Sequence, residues 1–151
     1  MKLEKEFIMI KPDAVQRGLI GLILTRIQRS GLKLLAMKFL QVSQQQAEKH
    51  YEVHKERPFY PGLVKFITSG PVVAIAVEGL NAVEVTRKLV GATNPKDATP
   101  GTIRGDFALD IGRNLIHASD SVDNALTELS IYFNEQEYVS WSPVENSWLY
   151  E

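Results

Sequence analysis

Val72-Val73-Ala74-Ile75-Ala76-Val77 is an unbroken apolar run of strand length, and Glu78-Gly79 follows it as a stop. A strand that does not alternate apolar with polar residues is buried on both faces. Phe7-Ile8-Met9-Ile10 reads the same way and is cut off by Lys11-Pro12-Asp13, where proline ends the ladder and aspartate favours a turn. Between these two strands, Gly18 to Arg29 places Leu19, Leu22, Ile23 and Ile27 at helical spacing, and Ser30-Gly31 supplies the end. Leu32 to Val42 is extended, and Ser43 with Gln46 forms a capping box that opens a helix carrying His50, Tyr51 and His54. Arg57-Pro58-Phe59-Tyr60-Pro61-Gly62 is a turn, followed by a short helix from Leu63 to Thr68.

Beyond Gly79, Asn81 with Glu84 is expected to cap a helix that reaches Leu89 or Val90 and stops at Gly91. Residues 92–101 form a loop with two prolines, and Thr102 to Phe107 reads as irregular or extended, its Arg-Gly-Asp a chance tripeptide. Leu115 and Ile116 make a short apolar run. Ser121 caps a last helix, Val122 to about Phe133, with Val122, Ala125, Leu126, Leu129 and Phe133 as its inward stripe. The aromatic tail through Trp141 and Trp148 is too apolar to float free, so it packs on its own domain or on a neighbour. The order strand, helix, strand, helices, strand, helix, strand, helix contains two split βαβ units. The expected fold is α+β: a ferredoxin-like antiparallel four-stranded sheet covered by helices, an α/β sandwich, with the helices on one face.

A chain of 151 residues is the size of one domain, expected over residues 1–151. It has no cysteine, which excludes disulfides, thiolate metal sites and cysteine nucleophiles. Apolar runs fall far short of the roughly 20 residues of a membrane span. The N-terminal segment leads straight into a strand without an apolar or basic leader, so a cytosolic location is expected. A net charge of −1 gives no general attraction to nucleic acid or anionic lipid. Any bound anion must be held by a local cluster of cations.

The chemistry centres on Ile111-Gly112-Arg113-Asn114-Leu115-Ile116-His117-Ala118-Ser119-Asp120. His117 sits where an apolar run meets the capping residues of a helix, a junction that can hold a side chain firmly and still present it to a cleft. The chain lacks both Gly-x-x-x-x-Gly-Lys-Ser/Thr and Gly-x-Gly-x-x-Gly, so nucleotide phosphates would have to be held by side chains. Lys11, Arg87, Arg104 and Arg113 each fall at a strand end, helix end or loop from which they can converge, although a place in the last turn of its helix already explains Arg87. His50 and His54 are four apart but are not the His-Glu-x-x-His zinc pair, and no third ligand follows. No metal centre is expected there, and both histidines are read as part of a solvated face.

Five motifs together carry a resemblance: Phe7-Ile8-Met9-Ile10-Lys11-Pro12-Asp13, Arg57-Pro58-Phe59, Ser69-Gly70-Pro71-Val72, Pro100 to Phe107, and Asn114-x-x-His117-Ala118-Ser119-Asp120. In this order and with this chain length, the sequence resembles the nucleoside diphosphate kinases from end to end. One departure is Ala118, where the family usually has glycine; a backbone of positive φ there would cost alanine about 1 kcal/mol.

The resemblance implies a ping-pong reaction in which His117 takes the γ-phosphoryl group of a nucleoside triphosphate and passes it to a nucleoside diphosphate. It also implies that Glu128 orients the His117 ring, with Lys11, Tyr51, Asn114 and Ser119 completing the catalytic set. Lys11, Arg87, Thr93 and Arg104 would meet phosphates, Asn114 and Lys11 the ribose, and Phe59 and Ile111 would sandwich the base. Mg²⁺ would arrive on the nucleotide phosphates rather than in a carboxylate cage. The loop containing Pro95 and the aromatic tail look like the family's subunit-joining segments, which favours a homohexamer over a tetramer. Two other readings remain open: a hydrolase that discharges the same histidine to water, and a non-catalytic binding module.

Overall fold

The computed structural model describes residues 2–151. In chain order these form β1 (Leu3–Ile10), α1 (Pro12–Gln16), α2 (Ile20–Arg29), β2 (Lys33–Gln41), α3 (Gln44–His50), α4 (Tyr60–Ile67), β3 (Pro71–Leu80), α5 (Ala82–Val90), α6 (Ile103–Phe107), β4 (Ile116–Ala118), α7 (Val122–Tyr132) and α8 (Asn146–Leu149). The strands make one antiparallel sheet in the order β2-β3-β1-β4. Its centre is the pairing of β1 with β3, from Leu3 opposite Leu80 to Ile10 opposite Val73. The two crossovers, β1 to β2 and β3 to β4, each skip one strand, which is the split βαβ arrangement expected for a ferredoxin-like sheet.

The expectation that helices cover one face is corrected. Ile8, Ile10, Val73, Ile75 and Val77 pack with α2 and α5 through Ile23, Ile27, Ala82 and Val90. Their neighbours Phe7, Met9, Val72, Ala74 and Ala76 pack with α3, α4 and α7 through Ala47, Val64, Ile67, Leu129 and Tyr132. Successive side chains of a strand point to opposite faces, so β1 and β3 drive apolar residues into two cores at once. Phe7, Ile8, Met9 and Ile10 are wholly buried, each contributing roughly 2 kcal/mol through apolar burial. The unalternating run at 72–77 is the sequence form of a strand sandwiched in this way.

Several local readings also change. β3 continues through Glu78 and Gly79 because Glu78 is held by Lys5 and Lys33 from the strands on either side, at 3.7 and 3.3 Å. Asn81 adopts a left-handed conformation (φ 55°) and makes no side-chain cap; the Val83 N–H donates instead to Glu4 Oε1 at 3.2 Å. Pro12 opens a short helix rather than a turn, as proline does at a first helical position. On α7 the inward stripe is Ala125, Leu129 and Tyr132, while Val122 and Leu126 are exposed. In the tail, the Trp141 indole N–H donates to Leu34 O at 2.8 Å, whereas Trp148 is 90% exposed.

Thr102 to Phe107 is not irregular: Thr102 Oγ1 accepts from the Gly105 N–H at 3.0 Å and caps α6. The Arg-Gly-Asp residues have separate structural tasks. Arg104 turns inward, and Asp106 pairs with Arg26 at 2.6 Å. A Cβ on Gly105 would stand 2.0 Å from the Thr99 carbonyl oxygen. Gly105→Ala must therefore move backbone, and we expect a loss of about 2 kcal/mol, read as roughly 4–8 °C in Tm by thermal denaturation.

Candidate active site

β4 is only three residues long, but its pairing places His117. It lies opposite Met9, between Ala118 opposite Ile8 and Ile116 opposite Ile10. Ile116 and Ala118 enter the core shared with α2 and α5, so strand alternation directs His117 to the other face, toward α7. There His117 Nε2 meets Glu128 Oε1 at 2.6 Å, and the Ser119 hydroxyl donates to the same oxygen at 2.7 Å. An ionised carboxylate only accepts, so Nε2 carries the ring proton and Nδ1 keeps the free lone pair. Burial pushes the Glu128 carboxyl up, but the hydrogen bonds and charge of its histidine and serine neighbours outweigh this and leave it below the usual glutamate value. Ala118 lies in the extended strand and not at positive φ, so its methyl group brings no backbone strain.

The cleft in front of His117 has a volume of about 380 Å³. Lys11, Tyr51, Arg87, Thr93, Arg104, Ile111, Asn114 and Glu128 all line it. Ser119 lies behind, fully buried, reaching the cleft through Glu128. Phe59 is not part of this lining; it is half-exposed, its ring 5.3 Å from that of His54, which is part of it. Three larger depressions, of about 560, 600 and 670 Å³, contain no histidine.

Carbonyl oxygens hold the cations in place, those of the backbone for the two arginines and that of a side-chain amide for Lys11. Arg104, 5% exposed, donates to Gly91 O at 3.2 Å, Asn114 O at 3.2 Å and Ile116 O at 2.6 Å. Arg87 Nη1 donates to Ala118 O at 3.1 Å. Lys11 Nζ donates to Asn114 Oδ1 at 2.7 Å, and the Asn114 amide donates to Thr93 O at 3.0 Å. Burial, with the charges of Arg104 and Arg113 added, pushes Lys11 down to about 8. Burial likewise pushes the Tyr51 phenol up to about 12, so it stays a neutral hydroxyl. Leu115 is fully buried at φ 74°, its N–H held by Asp13 Oδ2 and its carbonyl by the Lys11 N–H. This left-handed kink separates the direction of Asn114 from that of β4, a local strain fixed by two hydrogen bonds.

A family profile described as nucleoside diphosphate kinase matches residues 4–138. The chain belongs to the nucleoside diphosphate kinase family. A nucleoside diphosphate kinase of Archaeoglobus fulgidus is 55% identical over 149 residues, covering 99% of each chain. That of Synechococcus sp. (strain JA-3-3Ab) is 56% identical, over 99% of this chain and 100% of its own. Among solved structures, a halophilic nucleoside diphosphate kinase from Halobacterium salinarum in complex with CDP superposes with a TM-score of 0.95 at 47% identity, over 99% of this chain and 100% of that one.

Against this family background, the sequence reading of His50 and His54 needs correction. α3 ends at His50, and His54 lies in a separate 3₁₀ turn, Glu52–His54, so the two share no helical face. His50 belongs to the cleft: its ring is 4.9 Å from that of His117, and its Nδ1 meets the Tyr132 hydroxyl at 2.9 Å. Burial, reinforced by His117, pushes His50 down to about 3, so it is neutral. Ligand atoms of His50, His117 and Glu128 lie within 4.8 Å of one another, but the hydrogen bonds just described already account for all three side chains. Asp120 and Asn124 also line the cleft. Only the Ser-Asp cap sequence hinted at their place.

Proposed function

We propose that this chain, over residues 1–151 as one domain, transfers the γ-phosphoryl group of a nucleoside triphosphate to a nucleoside diphosphate through a phosphohistidine on His117. The carrying observation is the 2.6 Å contact of His117 Nε2 with Glu128 inside a cleft lined by Lys11, Arg87 and Arg104. In the first half-reaction the Nδ1 lone pair forms a bond to the γ-phosphorus, and the bond from that phosphorus to the β–γ bridging oxygen breaks. The nucleoside diphosphate leaves with the electron pair. Glu128 holds the Nε2 proton and stabilises the charge that the ring acquires. Lys11, Arg87 and Arg104 offset negative charge spread over the transferring group and leaving oxygen, with Tyr51 and Thr93 as neutral partners. The second half-reaction runs the same steps backward onto a different diphosphate.

Asn114 and Lys11 suit a ribose hydroxyl, since they already form a polar pair at the cleft. Ile111 and Phe59, both half-exposed, suit the faces of a base. Stacking between them supplies no donor and acceptor code, so purines and pyrimidines are both accepted. Asp120 and Glu128 are the carboxylates of the lining, and Glu128 is committed to His117 and Ser119. That set suits Mg²⁺ carried in on the substrate's phosphates, where it neutralises charge, rather than a resident ion.

Among the described residues no helix is long and apolar enough to cross a membrane. A cytosolic place of work agrees with the substrates. Exposed Leu109, Val144 and Trp148 support a homo-oligomer, which we infer to be a hexamer in preference to a tetramer.

Incubation with γ-labelled ATP and Mg²⁺, quenched in base because phosphohistidine is acid-labile, is expected to leave label on the protein. A chase with unlabelled GDP should move that label into GTP. Release as free phosphate regardless of GDP would overturn the kinase reading in favour of a hydrolase.

A further inference from the structure

Glu6 is a carboxyl that the reaction above does not use. It lies on β1 opposite Val77, next to Phe7, and is 0% exposed. Its Oε1 accepts from the N–H of Phe7 at 3.0 Å, while Oε2 is buried and makes no hydrogen bond among the described residues. The charged groups that reach it are Glu128 on α7 and Arg87 on α5. No ion pair joins Glu6 to Arg87 among the described residues, and Arg87 Nη1 is given to the Ala118 carbonyl. A fully buried, unpaired carboxylate beside a second carboxylate is strongly unfavourable, whereas the neutral acid has an O–H to donate.

Ser119 supplies the acceptor. Its N–H donates to Phe7 O at 3.1 Å, which sets it beside the first part of β1, and its hydroxyl donates to Glu128 while lying near enough to act on the Glu6 carboxyl without a hydrogen bond to it. A serine hydroxyl has one hydrogen and two lone pairs, so it can serve two ionised carboxylates only by alternating between them.

We propose that Glu6 is a positioning residue, present as the neutral acid, whose Oε2–H turns to Ser119 Oγ and so commits the serine hydrogen to Glu128 and Glu128 to His117 Nε2. The chain of donors then runs in one direction, from Glu6 through Ser119 to Glu128, with His117 donating to Glu128 from the other side. Burial, opposed only in part by the Phe7 N–H, pushes Glu6 up to about 9, in keeping with a neutral group at physiological pH. Ionised, Glu6 would compete for the serine hydrogen and add a second negative charge near Glu128.

The inference rests on the phosphohistidine reading, and the experiment separates the two. Label transfer from ATP to the wild-type protein is measured in single turnover across pH, beside Glu6→Gln and Glu6→Leu. Glutamine keeps a neutral donor and should label at close to the wild-type rate at pH 7; leucine should be slower by about tenfold in rate with KM unchanged, the worth of one buried hydrogen bond. Above pH about 9 the wild type should lose rate relative to Glu6→Gln, because only the wild type ionises there. The Lys11 limb is common to both proteins and cancels in the ratio. An infrared difference spectrum between the same two proteins at pH 7 should contain the C=O stretch of a protonated carboxylic acid. Superimposable wild-type and glutamine pH profiles, a carboxylate band in place of the acid band, or a leucine variant as fast as wild type would each overturn the role of Glu6. If leucine fails to fold, the wild-type and glutamine comparison still decides. A wild-type protein that takes no label at all would instead overturn the functional reading itself.

Discussion

His117→Ala is expected to take no label from γ-labelled ATP and to lose at least roughly 10⁴-fold in phosphotransfer rate, as follows removal of a covalent nucleophile. The variant should remain folded. His117 sits at a cleft wall, its ring against those of Phe7 and His50 with centroids 5.9 and 4.9 Å away, so truncation empties space open to solvent rather than a sealed core. Glu128 keeps its bond from Ser119, and the carbonyls that anchor Lys11, Arg87 and Arg104 are untouched. Nucleotide affinity should therefore change little while the rate collapses, the split expected when a group acts on the transition state rather than on binding. His50 cannot substitute. Its Nδ1 is engaged by Tyr132, and His54, although it lines the same cleft, packs its ring against that of Phe59. Binding of a fluorescent nucleoside diphosphate analogue checks affinity, and base-quenched labelling checks chemistry. Label persisting on the alanine variant would move the nucleophile elsewhere and overturn the assignment of His117.

The parts of this architecture that could be read in advance are those governed by local rules. The runs 7–10 and 72–77 were legible as buried strands because unbroken apolar sequence has few other uses at that length. Ser43 with Gln46, and Ser121, were legible as caps because their side chains act within three residues. What escaped depends on distant contacts. β3 runs on through Glu78 because lysines from two other strands meet it, and Asn81 gives up its capping role because Glu4, far away in sequence, supplies an acceptor to Val83. Helices on both faces could have been inferred from the absence of alternation in β1 and β3, a signal that fixes strand burial better than helix placement.

The candidate site divides in the same way. His117, with the cations around it, was recognisable through motifs, and convergence of Lys11, Arg87 and Arg104 on one cleft follows from the sheet order. His50 was misread as solvated because its helix ends beneath it, turning its ring onto His117 and Tyr132. Glu6 was invisible. A glutamate preceding a strand's apolar run is ordinarily solvent-facing, and only the packing of distant elements, α7, β4 and α5 among them, on β1 closes water off.

Arg104→Met should have the second-largest effect, because one side chain carries both a structural and an electrostatic duty. Its guanidinium ties together the carbonyls of Gly91 at the end of α5 and of Asn114 and Ile116 on either side of the left-handed Leu115. Methionine fills similar space and donates nothing, so buried carbonyls lose their partners and a stability loss of about 3 kcal/mol is expected, or roughly 6–12 °C in Tm. Loss of its charge at the phosphate end of the cleft should lower kcat by a further roughly 10²- to 10³-fold among the molecules that fold. Arg104→Lys separates the two duties: an ammonium restores charge but cannot span three carbonyls, so kcat should recover more than Tm does. A third readout follows from Lys11, which burial first and Arg104 second push down to about 8. Removing the guanidinium raises Lys11 toward its ordinary value, so the alkaline limb of kcat/KM should move to higher pH in Arg104→Met. A variant with unchanged Tm would mean that water replaces the guanidinium at the carbonyls, and an unmoved alkaline limb would mean that Lys11 feels its burial alone.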